Sequence, residues 1–203
     1  MCTSKWVDAG RRTALGLAIA LLGTAALAQS AAPARVLRWG IGYPEDYPQG
    51  LAVKRFSEIV KARTRGRIEI ELHAGGKLGN DVSMTDALRE GRLDMTGPDT
   101  ATLVRLSRPF GVINFPFLIG NEQDADMLLD SPFGKDLLAT LPPHGLVGLG
   151  FWENGFRNLT NNRGAVSRRT DFSHLKVRVM PNAMFQDTFA VLGAYVDRLE
   201  KLV

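Results

Sequence analysis

The chemistry most legible in this chain rests on two arginines. Arg157 lies in Gly155-Phe156-Arg157-Asn158-Leu159-Thr160, and Arg178 lies in Leu175-Lys176-Val177-Arg178-Val179-Met180-Pro181-Asn182. In the second block Leu175, Val177 and Val179 alternate with Lys176, Arg178 and Met180, which is the period of a half-buried strand, and Pro181 stops the ladder just beyond it. A guanidinium is a rigid fork of donors that meets a carboxylate through two parallel hydrogen bonds. Two such forks near strand ends, each with an asparagine close by, suit a crevice for an organic acid at the carboxyl ends of strands.

Other chemistries find little support. His73, His144 and His174 are far apart and form no HxxxH pair, so no metal site is expected. Gly40-Ile41-Gly42 and Gly148-Leu149-Gly150 each lack the third glycine of a dinucleotide loop, because Glu45 and Glu153 occupy that place. No serine stands in a nucleophile elbow and no Walker loop occurs, so no cofactor is expected. Trp39, Tyr43, Tyr47, Phe151 and Trp152 have the size to wall a site, although aromatics at such spacing are more often core.

The elements that must position the arginines follow an export segment. Lys5, Arg11 and Arg12 precede an apolar run over 14–22, and Ala26-Leu27-Ala28 before Gln29 reads as a cleavage site. Residues 1–28 are therefore expected to be a secretory signal peptide, cut after Ala28 to leave a soluble periplasmic protein. Gly10-Arg11-Arg12 loosely resembles a twin-arginine signal, so both export routes stay open. Losing Lys5, Asp8, Arg11 and Arg12 lowers the formal net charge from +4 to +2, and no nucleic-acid partner is expected. Cys2, the one cysteine, leaves with the signal, so stability must come from core burial without a disulfide.

After a linker over 29–35, a strand over 36–42, a loop over 43–49, a helix over 50–64 and a strand over 67–73 read as βαβ. Asn80 or Asp81 caps a helix that Gly91 ends, and a short strand follows over 93–96. Residues 110–119 form a dense apolar segment, then helices capped by Asn121 and by Ser131, with Pro132 at the first position, lead to a break at Pro142-Pro143-His144-Gly145. Beyond it, strands are expected over 146–152 and 156–160, a polar loop over 161–169, a strand over 175–179 and a helix over 182–192. Strands alternating with helices predict an α/β protein with at least partly parallel sheets. A first lobe over 36–143 and a partial second lobe over 144–203 are the expected domains.

Four blocks in order resemble a known family. They are Gly76-Lys77-Leu78-Gly79-Asn80-Asp81 leading to Ala87-Leu88-Arg89-Glu90-Gly91-Arg92-Leu93-Asp94-Met95, then Phe115-Pro116-Phe117-Leu118, then the two arginine blocks. Between Val36 and about Ala194 the chain is similar to the periplasmic solute-binding proteins of tripartite ATP-independent (TRAP) transporters, of the C4-dicarboxylate-binding type. The resemblance implies a two-lobed, type II-like periplasmic binding protein that closes on a small carboxylate and delivers it to membrane permease subunits. It implies Arg178 as the main salt bridge to the substrate carboxylate, Arg157 as its support, Asp99 lining the first lobe's side of the pocket, and Asn182 contributing near the strand end.

The ending departs from the family pattern, since Tyr195 to Val203 does not continue as the family does. A chain truncated within the second lobe, binding weakly or not folding stably, is the expectation. Two other readings stay open: a non-functional remnant, and an exported α/β enzyme using Asp94 or Asp99 as acid or base.

Overall fold

Alternation in two short runs builds the first sheet. In the computed structural model residues 34–198 are described; the expected signal peptide with its cleavage point, and most of the linker, lie outside them. Strand β1 (Arg35–Gly40) pairs in parallel with β2 (Ile68–His73), from Arg35 opposite Ile68 to Gly40 opposite His73, and on its other edge with the two-residue β3 (Met95–Thr96). The order is β2-β1-β3. Helix α1 (Pro48–Arg63) makes the β1–β2 crossover and starts two residues earlier than expected, because Pro48 pre-sets the first turn. Gly50 is required there: a Cβ would stand 2.5 Å from the Glu45 carbonyl oxygen. From α1, buried Val53 joins Trp39 and Ile41 in one apolar cluster, and Phe56 meets Trp39 edge-on at 5.3 Å.

Helix α2 (Asp81–Arg89) is capped by Asn80, whose side chain accepts the Ser83 N–H at 3.0 Å, and Gly91 follows its end with φ +73°. Buried Met84 lies under Gly40, where a Cβ would sit 2.7 Å from its sulfur. Past β3 comes a one-turn helix, α3 (Thr100–Leu103), that the sequence pattern does not reveal. The apolar segment after it winds into a 3-10 helix over Arg108–Asn114, burying Phe110 against Leu103, Leu137, Leu141 and Leu146. Helices α4 (Glu122–Asp130) and α5 (Pro132–Ala139) carry the expected caps, Asn121 and Ser131.

A second parallel pair, β4 (Lys176–Val179) and β5 (Tyr195–Arg198), is linked by α6 (Ala183–Val191). Leu175, Val177 and Val179 form the core of this unit, with Phe172, Phe185, Phe189 and Val196 packed on it. β5 is an addition to the expected elements.

Two expected strands are corrected. Residues 146–160 form no strand among the described residues. Leu146 and Gly148 face inward while Val147 and Leu149 are 79% and 75% exposed, so the alternation of a strand is present. Its ladder is not: no described strand pairs with it, and a strand is completed only by a partner's backbone bonds. Packing also runs past the expected lobe boundary at 143: Leu146 and Phe151 join the Phe110 cluster, and Trp152 meets Trp39 edge-on at 5.5 Å.

Candidate functional site

Asp99 stands three residues beyond the carboxyl end of β3 and has every polar atom engaged. Its backbone N–H donates to Asp81 Oδ2 at 3.0 Å, its Oδ1 accepts the Ala101 N–H at 2.8 Å and so caps α3, and its Oδ2 accepts from the Arg157 guanidinium. The Asp99 side chain is 13% exposed and that of Arg157 is 52%. The guanidinium carbon of Arg157 also lies 5.4 Å from the ring centre of Phe185 on α6. Arg157 therefore bridges the first sheet's loop and the second unit.

The approach to Arg157 is tied down by amides. Asn154 Nδ2 donates to the Tyr43 hydroxyl at 2.6 Å, and Gln49 Nε2 donates to Asn154 Oδ1 at 3.0 Å and to the Glu153 carbonyl oxygen at 3.4 Å. Gly155 then turns with φ +73°, a conformation that favours glycine, and the chain arrives at Arg157. Arg157 thus sits in irregular backbone rather than at the end of the expected strand over 156–160.

The local electrostatics are mixed. Burial pushes the Asp81 carboxyl above its ordinary range and the Asp99 charge adds to this, opposed by the Asp99 N–H and by Arg157. Burial, then the Asp99 and Asp81 charges, raise the Tyr43 phenol, while its bond from Asn154 and the Arg157 charge pull the other way. Gln49 Oε1 and Trp39 Nε1 are buried with no hydrogen-bond partner.

Of the four residues expected at the site, the structure brings Asp99 and Arg157 into contact and ties Asn182 to the short helix that Asp99 caps. Asn182 is 5% exposed; its Oδ1 accepts the Met184 N–H at 2.9 Å, capping α6, and its Nδ2 donates to the Ala101 carbonyl oxygen of α3 at 3.3 Å. Arg178 is not in contact with them. It lies on the face of β4 opposite to buried Val177 and Val179, is exposed, and its side chain has no hydrogen bond or ion pair among the described residues. Asp81, Gln49, Asn154 and Phe185 join the cluster without having been expected there, although Asp81 stood out as a cap candidate and Tyr43 as a wall. An open depression of about 530 Å³, lined by Thr160, Asn161, Asn162, Arg163, Leu175 and Lys176, includes none of these residues.

Residues 40–199 match the model of the bacterial extracellular solute-binding protein family 7, DctP. The chain belongs to this family. The match passes Ala194 and takes in β5, farther than the motif blocks reach. Among curated relatives of this family 7 protein, the 2,3-diketo-L-gulonate-binding periplasmic protein YiaO of Escherichia coli (strain K12) is 33% identical over 177 residues, covering 87% of the chain and 54% of the relative. The C4-dicarboxylate-binding protein DctB of Bacillus subtilis (strain 168) is 32% identical over 150 residues, 74% of the chain and 43% of the relative. The crystal structure of the sugar acid binding protein DctPAm from Advenella mimigardefordensis strain DPN7T with galactonate superposes with a TM-score of 0.80 at 39% identity, covering 83% of this chain and 55% of that one. This family 7 chain thus spans about half the length of the relatives it matches.

Proposed function

We propose that this protein captures a small organic acid outside the cytoplasm and presents it to the membrane permease of a TRAP transporter. Its role on this reading is binding and release, without turnover. Arg178 clamps the carboxylate, Arg157 supports it from the seat fixed by Asp99 and Phe185, and Asn182 holds α6 against α3 so that the two units meet at the site. The exposed guanidinium of Arg178, without a partner among the described residues and near the carboxyl end of a parallel strand, is the observation that carries this reading. Membership of a solute-binding family, and relatives named for diketogulonate, C4-dicarboxylate and galactonate, support an acid as the solute. Cleavage after Ala28, releasing a periplasmic protein, belongs to the same proposal.

Isothermal titration calorimetry of the exported protein against a panel of small carboxylic acids tests it. At least one acid is expected to bind. Arg178→Ala is expected to remove about 3–5 kcal/mol, because the acid loses its partner in a closed site; that is about two to three and a half decades in affinity. Unchanged affinity in Arg178→Ala would overturn the assignment.

A further inference from the structure

The amino ends of β1 and β2 carry positive charge that no acid nearby answers. Lys61-Ala62-Arg63-Thr64-Arg65-Gly66-Arg67 runs from the last turn of α1 to the start of β2 with four cations and no acid. The Arg35 N–H donates to the Arg67 carbonyl oxygen at 2.8 Å, so Arg35 at the start of β1 joins the same end of the sheet. Arg35, Arg63, Arg65 and Arg67 are all exposed. The neighbouring acids already have partners: Glu69 pairs with Lys61 at 2.7 Å, Asp94 with Arg38 at 3.6 Å, and Glu90 with Arg92. None of the four arginines has an ion pair among the described residues. Of their guanidinium groups only that of Arg67 makes a hydrogen bond there, from Nε to the Thr64 carbonyl oxygen at 3.2 Å.

Local structure accounts for part of this. A cation in the last turn suits the carboxyl end of α1, which explains Arg63. It does not explain Arg65, which follows the cap Thr64 with φ +53°, a left-handed conformation that favours glycine or asparagine. An arginine held there at a conformational cost, with no partner inside the molecule to offset it, points to a partner outside.

We infer that this face docks on an anionic phospholipid surface. Each guanidinium meets a phosphate through two parallel bonds, and each cation near such a surface strengthens attachment by about fivefold. Val36, 51% exposed beside Arg35, adds an apolar contact. On the function proposed above, the bilayer that holds the permease is the anionic surface within reach; that reading supplies the location only. Tyr43 and Asp99 follow the opposite, carboxyl ends of β1 and β3, about 17 Å away along a six-residue strand. Docking therefore leaves the candidate site facing the compartment that supplies the solute, and screening by salt keeps the attachment reversible.

Co-sedimentation of the exported protein with vesicles of equal parts phosphatidylcholine and phosphatidylglycerol, and with vesicles of phosphatidylcholine alone, tests this. Binding is expected to the mixed vesicles only, and to fall steeply as salt rises from about 20 mM to about 500 mM. Arg35→Gln and Arg65→Asn are each expected to weaken it by about fivefold, and together by about twenty-five-fold. Asparagine suits the left-handed turn, so Arg65→Asn is expected to keep the parental melting temperature and its loss of binding is not a loss of folding. Lys135→Gln on α5, an exposed cation outside this cluster, removes the same charge and is expected to leave binding unchanged. Equal binding to neutral vesicles, undiminished binding in the double variant, an equal loss in Lys135→Gln, or capture by soluble polyphosphate with none by vesicles overturns the inference. Calorimetry with small acids is expected to give the same affinity in parent and patch variants, so failure of docking and failure of acid capture are told apart.

Discussion

Asn182 joins the two sheet units through one carboxamide: its Oδ1 caps α6 at the Met184 N–H, and its Nδ2 reaches the Ala101 carbonyl oxygen across 81 positions of sequence. The side chain is almost wholly buried, so neither half can be replaced by water without local opening. Asn182→Ala is expected to lower stability by about 1 kcal/mol for the lost cap and by about 1–3 kcal/mol for the stranded carbonyl. Asn182→Ser, which keeps a capping oxygen, should fall between parent and alanine. Asn182→Asp also keeps the cap, but it sets a carboxylate against a carbonyl oxygen and is expected to be worse than serine. Thermal melts of the three variants give the order; aspartate melting above serine would contradict this account of the amide.

The Arg157–Asp99 pair is expected to contribute modestly to stability, because Arg157 is half exposed even though Asp99 is not. A double-mutant cycle with Arg157→Ala and Asp99→Asn should give a coupling of about 0.5–1 kcal/mol, in the range of exposed ion pairs. Denaturant titrations would measure it. A coupling above about 3 kcal/mol, the range of buried pairs broken on one side, would show the pair to be structural first and a ligand seat second.

What the sequence reveals here is what depends on near neighbours. The βαβ unit shows in the alternation of Ile68, Ile70 and Leu72 and in the helical spacing of Val53 and Phe56, and the caps Asn80, Asn121 and Ser131 act on N–H groups two or three residues away. The stretch over 146–152 also alternates, yet a ladder needs a second strand, which is a property of the whole fold. Helix α3 is too short to show a period, so Asp99 as its cap is invisible before the turn is seen. At the site the residue types of Arg157 and Arg178 point to a carboxylate, whereas Asp99 follows only from the family resemblance. The bonds from Asn154 to Tyr43 and from Asp99 to Asp81 join residues 111 and 18 positions apart, and no local pattern encodes them.

Arg178 should be dispensable for folding and indispensable for binding. Its side chain is exposed, with no ion pair or hydrogen bond among the described residues, so Arg178→Ala is expected to change stability by less than about 0.5 kcal/mol. Arg178→Lys should be equally stable and still fail to bind an acid well, because an ammonium does not reproduce the two parallel bonds of the fork. Melts and calorimetry on the same preparations separate the two effects. A lysine variant with parental affinity would mean that charge alone, and not the fork, holds the carboxylate.

Val147 and Leu149 present their side chains outward from a backbone that no described strand pairs, an arrangement that invites association. Val147→Lys with Leu149→Lys is expected to reduce self-association measured by light scattering, with little change in melting temperature, since neither side chain lies in a described core cluster. A large fall in melting temperature would place these two residues in the folded core after all.

Asp81 gives the chain a pH dependence of definite sign. Burial raises its folded carboxyl above the ordinary value of 3.8, so between that value and the folded one the native state holds more protons than the unfolded state. The Asp81 contribution is therefore fully present below pH 3.8 and is lost as pH rises through the folded value. Asp81→Asn keeps an oxygen to accept the Asp99 N–H, which Asp81 Oδ2 accepts at 3.0 Å, but has no proton to lose. The melting temperature of Asp81→Asn minus that of the parent should become more positive as pH is raised from about 3 to neutrality, levelling off once the parent's carboxyl is ionised. If the difference instead grew more negative with pH, the Arg157 attraction and the Asp99 N–H would outweigh burial, and Asp81 would be held below its ordinary range.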